Sequence, residues 1–363
     1  MSSSIGNMIR LTVFGQSHSR AIGMTLEGIP AGFEIDFDEL QSFLDRRAPG
    51  RNPLSTQRRE GDRPEFISGL KNSTTCGAPI TALIANTDCN GADYRNTSQC
   101  PRPGHADFTA WCKYGPANDF AGGGHFSGRL TAPVCIAGGI CLQLLREQGI
   151  TIGAHISSIG KTEDARFATA NPTENLLEEL KGKSFPVIDD GIAYAMQKEI
   201  RAAQADDDSI GGTIECAAIG VPAGVGEPIF DSIESRIAQI AFGIPAVKGI
   251  DFGAGFDAAS MRGSQNNDQF IMKNGKPATE SNNAGGILGG ISTGSPIVFR
   301  IALKPTPSIG KKQRTVDLDA RAETTIESHG RHDPCIALRA VPVAEAAMAL
   351  ALYDLILESK VNR

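Results

Sequence analysis

Aromatic side chains are scarce in these 363 residues, with one Trp and four Tyr. Basic charge is concentrated in one short stretch of a chain whose formal net charge is −6. Nucleic acid is therefore not the expected partner, since it asks for stacking rings and an extended basic face. No uninterrupted apolar run reaches bilayer length; Val341 to Leu357 comes nearest and carries Glu345 and Asp354. The opening residues, MSSSIGNMIRLTVFG, hold no apolar leader segment, so neither a membrane nor a secretory route is expected. The eight cysteines form no CxxC pair and no finger-like spacing, which reads as reduced thiols in a cytoplasmic protein. Six histidines without HxH or HExxH leave no expected metal site. There is no GxxxxGK[ST] loop and no GxSxG elbow. Gly253 to Ala258 fits GxGxxA, but SMRGSQNND follows it where a dinucleotide fold needs an amphipathic helix.

What is present is arginine. Asp45 to Arg63, DRRAPGRNPLSTQRREGDR, carries six arginines and no lysine. A guanidinium is a planar fork that grips a carboxylate or phosphate at two points, which an ammonium does not do. Pro49, Gly50 and Pro53 break any helix, so a loop is expected that can turn several forks toward one ligand. A solvated basic loop, or one paired with acids of another subunit, is the alternative.

Strand character is expected at Met8 to Phe14, Gly23 to Glu27, Ile80 to Ala85, Gly212 to Ile219 and Ile297 to Leu303. Helices are expected over Asp38 to Arg46, Thr131 to Glu147, Ile188 to Asp206, Asp231 to Ala241 and Val343 to Glu358. Pro101 to Gly124 is expected as a long irregular loop, 160 to 185 as polar surface, and Ala258 to Ala278 as a mobile loop. Strands and helices mix without a βαβ rhythm and no linker divides them, which predicts one α+β domain over 1–363. GIPAG at 28–32 recurs as GVPAG at 220–224, each after a strand and before an Asp and a helix. A duplicated β–loop–α core would leave that echo, and so would chance recurrence of turn residues.

Three loop histidines, His18 in GQSHS, His105 in RPGHAD and His332 in RHDP, are candidate proton carriers because imidazole titrates near neutrality. His155, in a strand-like segment, is expected to be structural, and His329 stays open. GGGHFSGRLTA at 122–132 places Ser127 and Arg129 before a helix, where backbone donors favour an anion. NNAGGILGGISTG at 282–294 repeats the glycine theme, with tight helix packing as the alternative. Lys304 to Ser308 adds a cation and two hydroxyls after a strand, and Arg331-His332-Asp333 a cation, a ring and a carboxylate. The residues alone point to an enzyme acting on a small polyanion by proton transfer.

Read in order, DRRAPG with STQRRE, RPGHAD, GGGHFSGRLTAP, IPAVKGIDFGAGF, RGSQNND, NNAGGILGGISTG with ALKPTPSI, and RHDPCIALRAVPVAEA resemble the chorismate synthases from Gly6 to about Leu352. The resemblance implies antiparallel β-sheets sandwiching a helical core, a homotetramer, and conversion of 5-enolpyruvylshikimate 3-phosphate to chorismate and phosphate. It implies a 1,4-anti elimination that needs reduced FMN, on the shikimate route to aromatic amino acids. No reductase segment is visible, so an external flavin reductase is the expected source of reduced FMN. By the same likeness Arg46, Arg47, Arg51 and Arg129 would bind substrate, and His18 would protonate the departing phosphate. His105 would assist protonation of the flavin. Asp333, with Ser17, would draw a proton from flavin N5 so that N5 serves as base. Flavin contacts would come from His125, Phe126, Ser127, Ala246, Gly289, Lys304, Pro305, Thr306, Pro307, Ser308 and Arg331. The chain departs from the usual GESHG at Gln16 and Ser19, and from GGGRSSAR at His125 and Phe126. Ser19 replaces a glycine, which leaves the backbone of that turn open. A net-redox flavoenzyme using the same pocket is the rival reading.

Overall fold

The computed structural model describes residues 3–50, 52–56, 60–87, 99–328 and 332–361. Two five-stranded antiparallel sheets enclose a layer of helices. In the first sheet β1 (Ser4–Ile5), β2 (Arg10–Gly15) and β3 (Ala21–Glu27) run side by side, followed by Ile80–Ala85 and then Glu65–Ser68 at the edge. In the second, Gly212–Ile219 is central, with Ile297–Leu303 and Val247–Phe252 on one side and Thr151–Ile159 and Thr162–Glu163 on the other.

The helical layer consists of α1 (Phe37–Arg47), α2 (Asp107–Tyr114) toward the cavity, α3 (Thr131–Arg146), the helix Ile233–Ala241 and the long C-terminal helix Ala337–Val361. Asp36 caps α1 by accepting from the Glu39 amide at 2.9 Å, and Pro133 sits in the first turn of α3. Small residues let the helices touch at backbone distance. A Cβ on Gly138 would stand 2.3 Å from the Ala346 Cβ, and one on Gly139 would meet Leu40 at 2.5 Å. Gly128–Arg146 and Ala337–Val361 are long and apolar enough to cross a bilayer, but 83% and 94% of their apolar windows lie inside the protein. They are core helices, which relaxes the sequence expectation that no stretch has membrane-like composition.

The repeated pentapeptide has the same backbone in both copies. Gly28 and Gly32 have φ of 84° and 91°, and Gly220 and Gly224 have 83° and 92°. A Cβ on Gly28 would meet the Met8 carbonyl at 2.1 Å, and one on Gly220 the Gly149 carbonyl at the same distance. Each copy leaves the central strand of its sheet. This is the geometry a duplicated unit would have.

Three segments depart from the sequence expectations. Residues 160–185 are not merely surface: the helix Glu174–Gly182 buries Leu177 and Leu180 with Phe167, Ala217 and Val298 on the outer side of the second sheet. Ala258 to Ala278 contains a hairpin, Phe270–Lys273 paired with Lys276–Thr279. Pro101 to Gly124 includes α2.

Candidate active site

One cavity of about 590 Å³ opens between the arginine loop, the 102–106 turn ahead of α2, the glycine run and the start of the C-terminal helix. Arg47, Arg102, Arg129, Lys304 and Arg339 line it. Each cation is held by a defined partner. Arg47 and Arg129 share the fully buried Asp62 carboxylate, one guanidinium on each oxygen. Burial alone would raise the Asp62 carboxyl, but the two arginines outweigh it and hold it below the usual range. Arg47 also donates to the Thr131 hydroxyl at 3.1 Å and the Gly128 carbonyl at 3.3 Å. Arg129 donates to Asn86 at 3.2 Å, and Asn86 in turn donates to the carbonyls of Gln16 and Ser19 at 3.1 and 2.8 Å. The His18 turn and the Arg129 guanidinium are thereby tied through one amide.

The His105 wall is a triad. Arg102 donates to both oxygens of Asp107 at 2.7 and 2.8 Å and to the Ser308 hydroxyl at 3.1 Å. His105 Nδ1 lies 2.6 Å from Asp107 Oδ1, so Nδ1–H donates there and Nε2 is the nitrogen left to exchange a proton. Despite partial burial, Arg102 and His105 hold the Asp107 carboxyl far below its ordinary value.

The glycine run brings the two imidazoles together. Gly122, Gly123 and Gly124 have φ of 61°, 89° and 54°, which a side chain would strain. A Cβ on Gly122 would fall 2.1 Å from the His18 ring, and one on Gly123 would fall 3.1 Å from the His105 ring. Consecutive residues therefore abut one histidine each. Ser17 and His18 sit behind Gly122 rather than on the wall itself. Ser19 has an ordinary φ; its hydroxyl accepts from the Gln16 amide at 3.0 Å and lies 2.9 and 2.8 Å from the Gln16 and Ala21 carbonyls, so the turn closes without glycine.

Asp333 lines the cavity and accepts from the Thr56 amide at 2.8 Å and Arg339 at 2.6 Å. Arg339 also donates to the Arg47 carbonyl at 3.0 Å, tying the C-terminal segment to the end of α1. His125 Nδ1–H donates to the Gly15 carbonyl at 2.8 Å, and its Nε2 is 3.1 Å from the Ser3 hydroxyl. Phe126, Ser127, Ala246, Thr306, Pro307 and Ser308 share the same wall. Lys304 donates to the Gly104 carbonyl at 2.8 Å and has no carboxylate partner among the described residues; burial and Lys248 lower its affinity for a proton.

Other expected residues lie elsewhere. Arg46 closes its fork on the buried Glu345 at 2.7 and 2.8 Å, away from the cavity. Pro305 packs behind the wall on Gly211, and Gly289 lies at a hairpin turn. Arg51 and Arg331 lie outside the described residues, as does His329. Residues that the sequence reading left without a role are Asp62, Glu60, Asn86, Arg102, Asp107 and Arg339. Asp107 was legible in principle, two residues beyond His105 in RPGHAD.

A cation-lined cavity flanked by two imidazoles, set in a sandwich of antiparallel sheets, has the make-up of an enzyme active site. The family model described as chorismate synthase matches residues 9–357. Chorismate synthase of Lancefieldella parvula is 45% identical over 365 residues, covering 98% of this chain and 96% of that protein. Chorismate synthase of Thermococcus gammatolerans is 46% identical over 356 residues, covering 98% of both. A solved structure titled "Crystal Structure of Chorismate Synthase" aligns with a TM-score of 0.76 at 28% identity over 98% of this chain and 93% of that one. The chain belongs to the chorismate synthase family and is a lyase.

Proposed function

We propose that the chain converts 5-enolpyruvylshikimate 3-phosphate to chorismate and inorganic phosphate by 1,4-elimination, using reduced FMN. The observation that carries this is the pairing of Arg47 and Arg129 on one wall with two imidazoles against Gly122 and Gly123. The substrate has two carboxylates and a phosphate, which suit guanidinium forks. Arg47, Arg129 and Arg102 orient those groups, and His18 delivers a proton toward the departing phosphate. His105 exchanges a proton through Nε2, its ring fixed by Asp107. Asp333, held by Arg339 and the Thr56 amide, is the carboxylate available to accept a proton. Each such acid–base contribution is typically about 10²–10⁴-fold.

The residues present fit a flavin. The cavity falls within the roughly 300–1,000 Å³ typical of ligand sites, and Lys304 offers a cation that no described carboxylate neutralises. Lys304, Thr306 and Ser308 would hold a phosphate, with His125, Phe126 and Ala246 along the ring. When bound, reduced FMN supplies an electron-rich ring that stabilises positive character as phosphate leaves. The reading includes a cytoplasmic homotetramer fed by an external flavin reductase. Anaerobic turnover with pre-reduced FMN tests it: chorismate and phosphate should form one to one without consumption of reductant. Stoichiometric loss of reduced flavin would favour a net-redox enzyme instead.

A further inference from the structure

Arg129 contacts two carboxylates, one shared with Arg47 and one its own. Asp62 is gripped by Arg129 and Arg47 together and is fully enclosed. Displacing it would strand a buried charge, so it belongs to the scaffold. Glu60 is different. It lines the cavity, and its contact is a single ion pair at 3.2 Å to Arg129 Nε, the same nitrogen that donates to Asn86. Among the described residues no second cation holds it.

The other ion pairs leave one positive charge for Glu60 to answer. Arg102 is paired with Asp107 and Arg339 with Asp333, while Arg47 and Arg129 share Asp62. Glu60 supplies the second negative charge through one long contact, the weakest of these pairings. Arg129 Nη2, moreover, is buried and has no hydrogen-bond partner among the described residues. The guanidinium thus retains donor capacity that its own acids leave unused, which a buried group keeps only at a cost.

We propose that Glu60 is an internal stand-in for a substrate anion: it occupies Arg129 in the ligand-free enzyme and is displaced when phosphate or carboxylate binds. This rests on the polyanion reading of the site and extends it to selectivity. A weak anion must compete with a tethered carboxylate for Arg129. A ligand with three anionic groups, anchored also by Arg47 and Arg102, wins that competition. After the reaction, the return of Glu60 helps expel free phosphate. Glu60 is accordingly a specificity-determining residue and not a proton carrier.

Calorimetric titration of the flavin-free enzyme with inorganic phosphate tests this without any turnover. A like charge at ion-pair range in a buried site is worth on the order of tenfold or more in affinity. Glu60→Gln should therefore bind phosphate about tenfold more tightly than the wild type. Glu60→Asp, which keeps the charge, should bind it with near wild-type affinity, and Glu60→Ala should follow Glu60→Gln. Under turnover, Glu60→Gln should become more sensitive to inhibition by phosphate. Equal or weaker phosphate binding by both Glu60→Gln and Glu60→Ala overturns the proposal, as does tightening by Glu60→Asp to the same degree. The two readings fail separately. A wild type that binds phosphate but makes no chorismate sinks the functional reading alone; normal turnover with unchanged affinity in the variants sinks this one alone.

Discussion

Replacing Asp62 by Asn keeps the shape of the side chain and removes the charge shared by two buried guanidinium groups. In the native protein each oxygen of Asp62 serves one arginine. An amide offers a single acceptor oxygen and turns its NH₂ toward the other arginine, so Arg47 loses its paired carboxylate and Arg129 keeps only Glu60. Removing one partner of a buried ion pair costs about 3–5 kcal/mol. Unfolding entropy of about 2.1 cal/mol/K per residue gives roughly 0.76 kcal/mol/K for 363 residues. The melting temperature should then fall by about 4–7 °C. Inorganic phosphate, gripped by the arginine forks from the cavity side, should recover part of the loss in the variant and raise the wild type less. The acid limb gives a second readout. The folded carboxyl sits below its unfolded value, so its stabilisation is present above about pH 3.9 and is lost as pH falls through the folded value. Asp62→Asn should lack that part of the acid-side slope. An unshifted melting temperature in phosphate-free buffer would refute the idea that Asp62 holds the arginine wall together.

Three further outcomes follow from the same geometry. Asp107→Asn leaves one acceptor oxygen for Arg102 and His105 to contest and removes the charge that fixes the His105 tautomer, and kcat should fall by about 10²-fold in steady-state assays while the fold survives by circular dichroism. Gly122→Ala forces a Cβ into the His18 ring at φ 61°, costing about 1–2 kcal/mol in stability and about 10²-fold in turnover; Gly182→Ala, which meets open space, should change neither. Burial would lower the His155 pKa, but Asp164 and Glu215 at 3.0 and 3.1 Å outweigh that and raise it. Its contribution is therefore complete below about pH 6.5 and is lost as pH rises through the folded value, a slope in the thermal melt that His155→Gln should remove.

Much of the fold was readable because its apolar periods are clean. Ile80–Ala85, Gly212–Ile219 and Ile297–Leu303 fall where alternation and β-branching place them. Thr151–Ile159 is buried at every position, so it shows no alternation to read. The helix Glu174–Gly182 hides Leu177 and Leu180 among charged neighbours, which made the segment look like surface. At the site, residue types announced the chemistry: arginine forks, loop histidines and a glycine run. Partnership was not legible, because it is set between segments far apart in sequence. Nothing local says that Arg46 is spent on Glu345, that Asp62 bridges Arg47 and Arg129, or that Asn86 ties the His18 turn to the same guanidinium. The repeated GIPAG and GVPAG turns were visible as letters, and only their matched dihedrals make them a structural pair.

The most direct measurement is a crystal structure of the enzyme with 5-enolpyruvylshikimate 3-phosphate and FMN. The account predicts the substrate's anionic groups within hydrogen-bond reach of Arg47 and Arg129, with the His105 imidazole facing the reacting ring and His18, behind Gly122, on the side of the phosphate. Substrate bound outside this cavity, or inside it with either imidazole turned away, would contradict it.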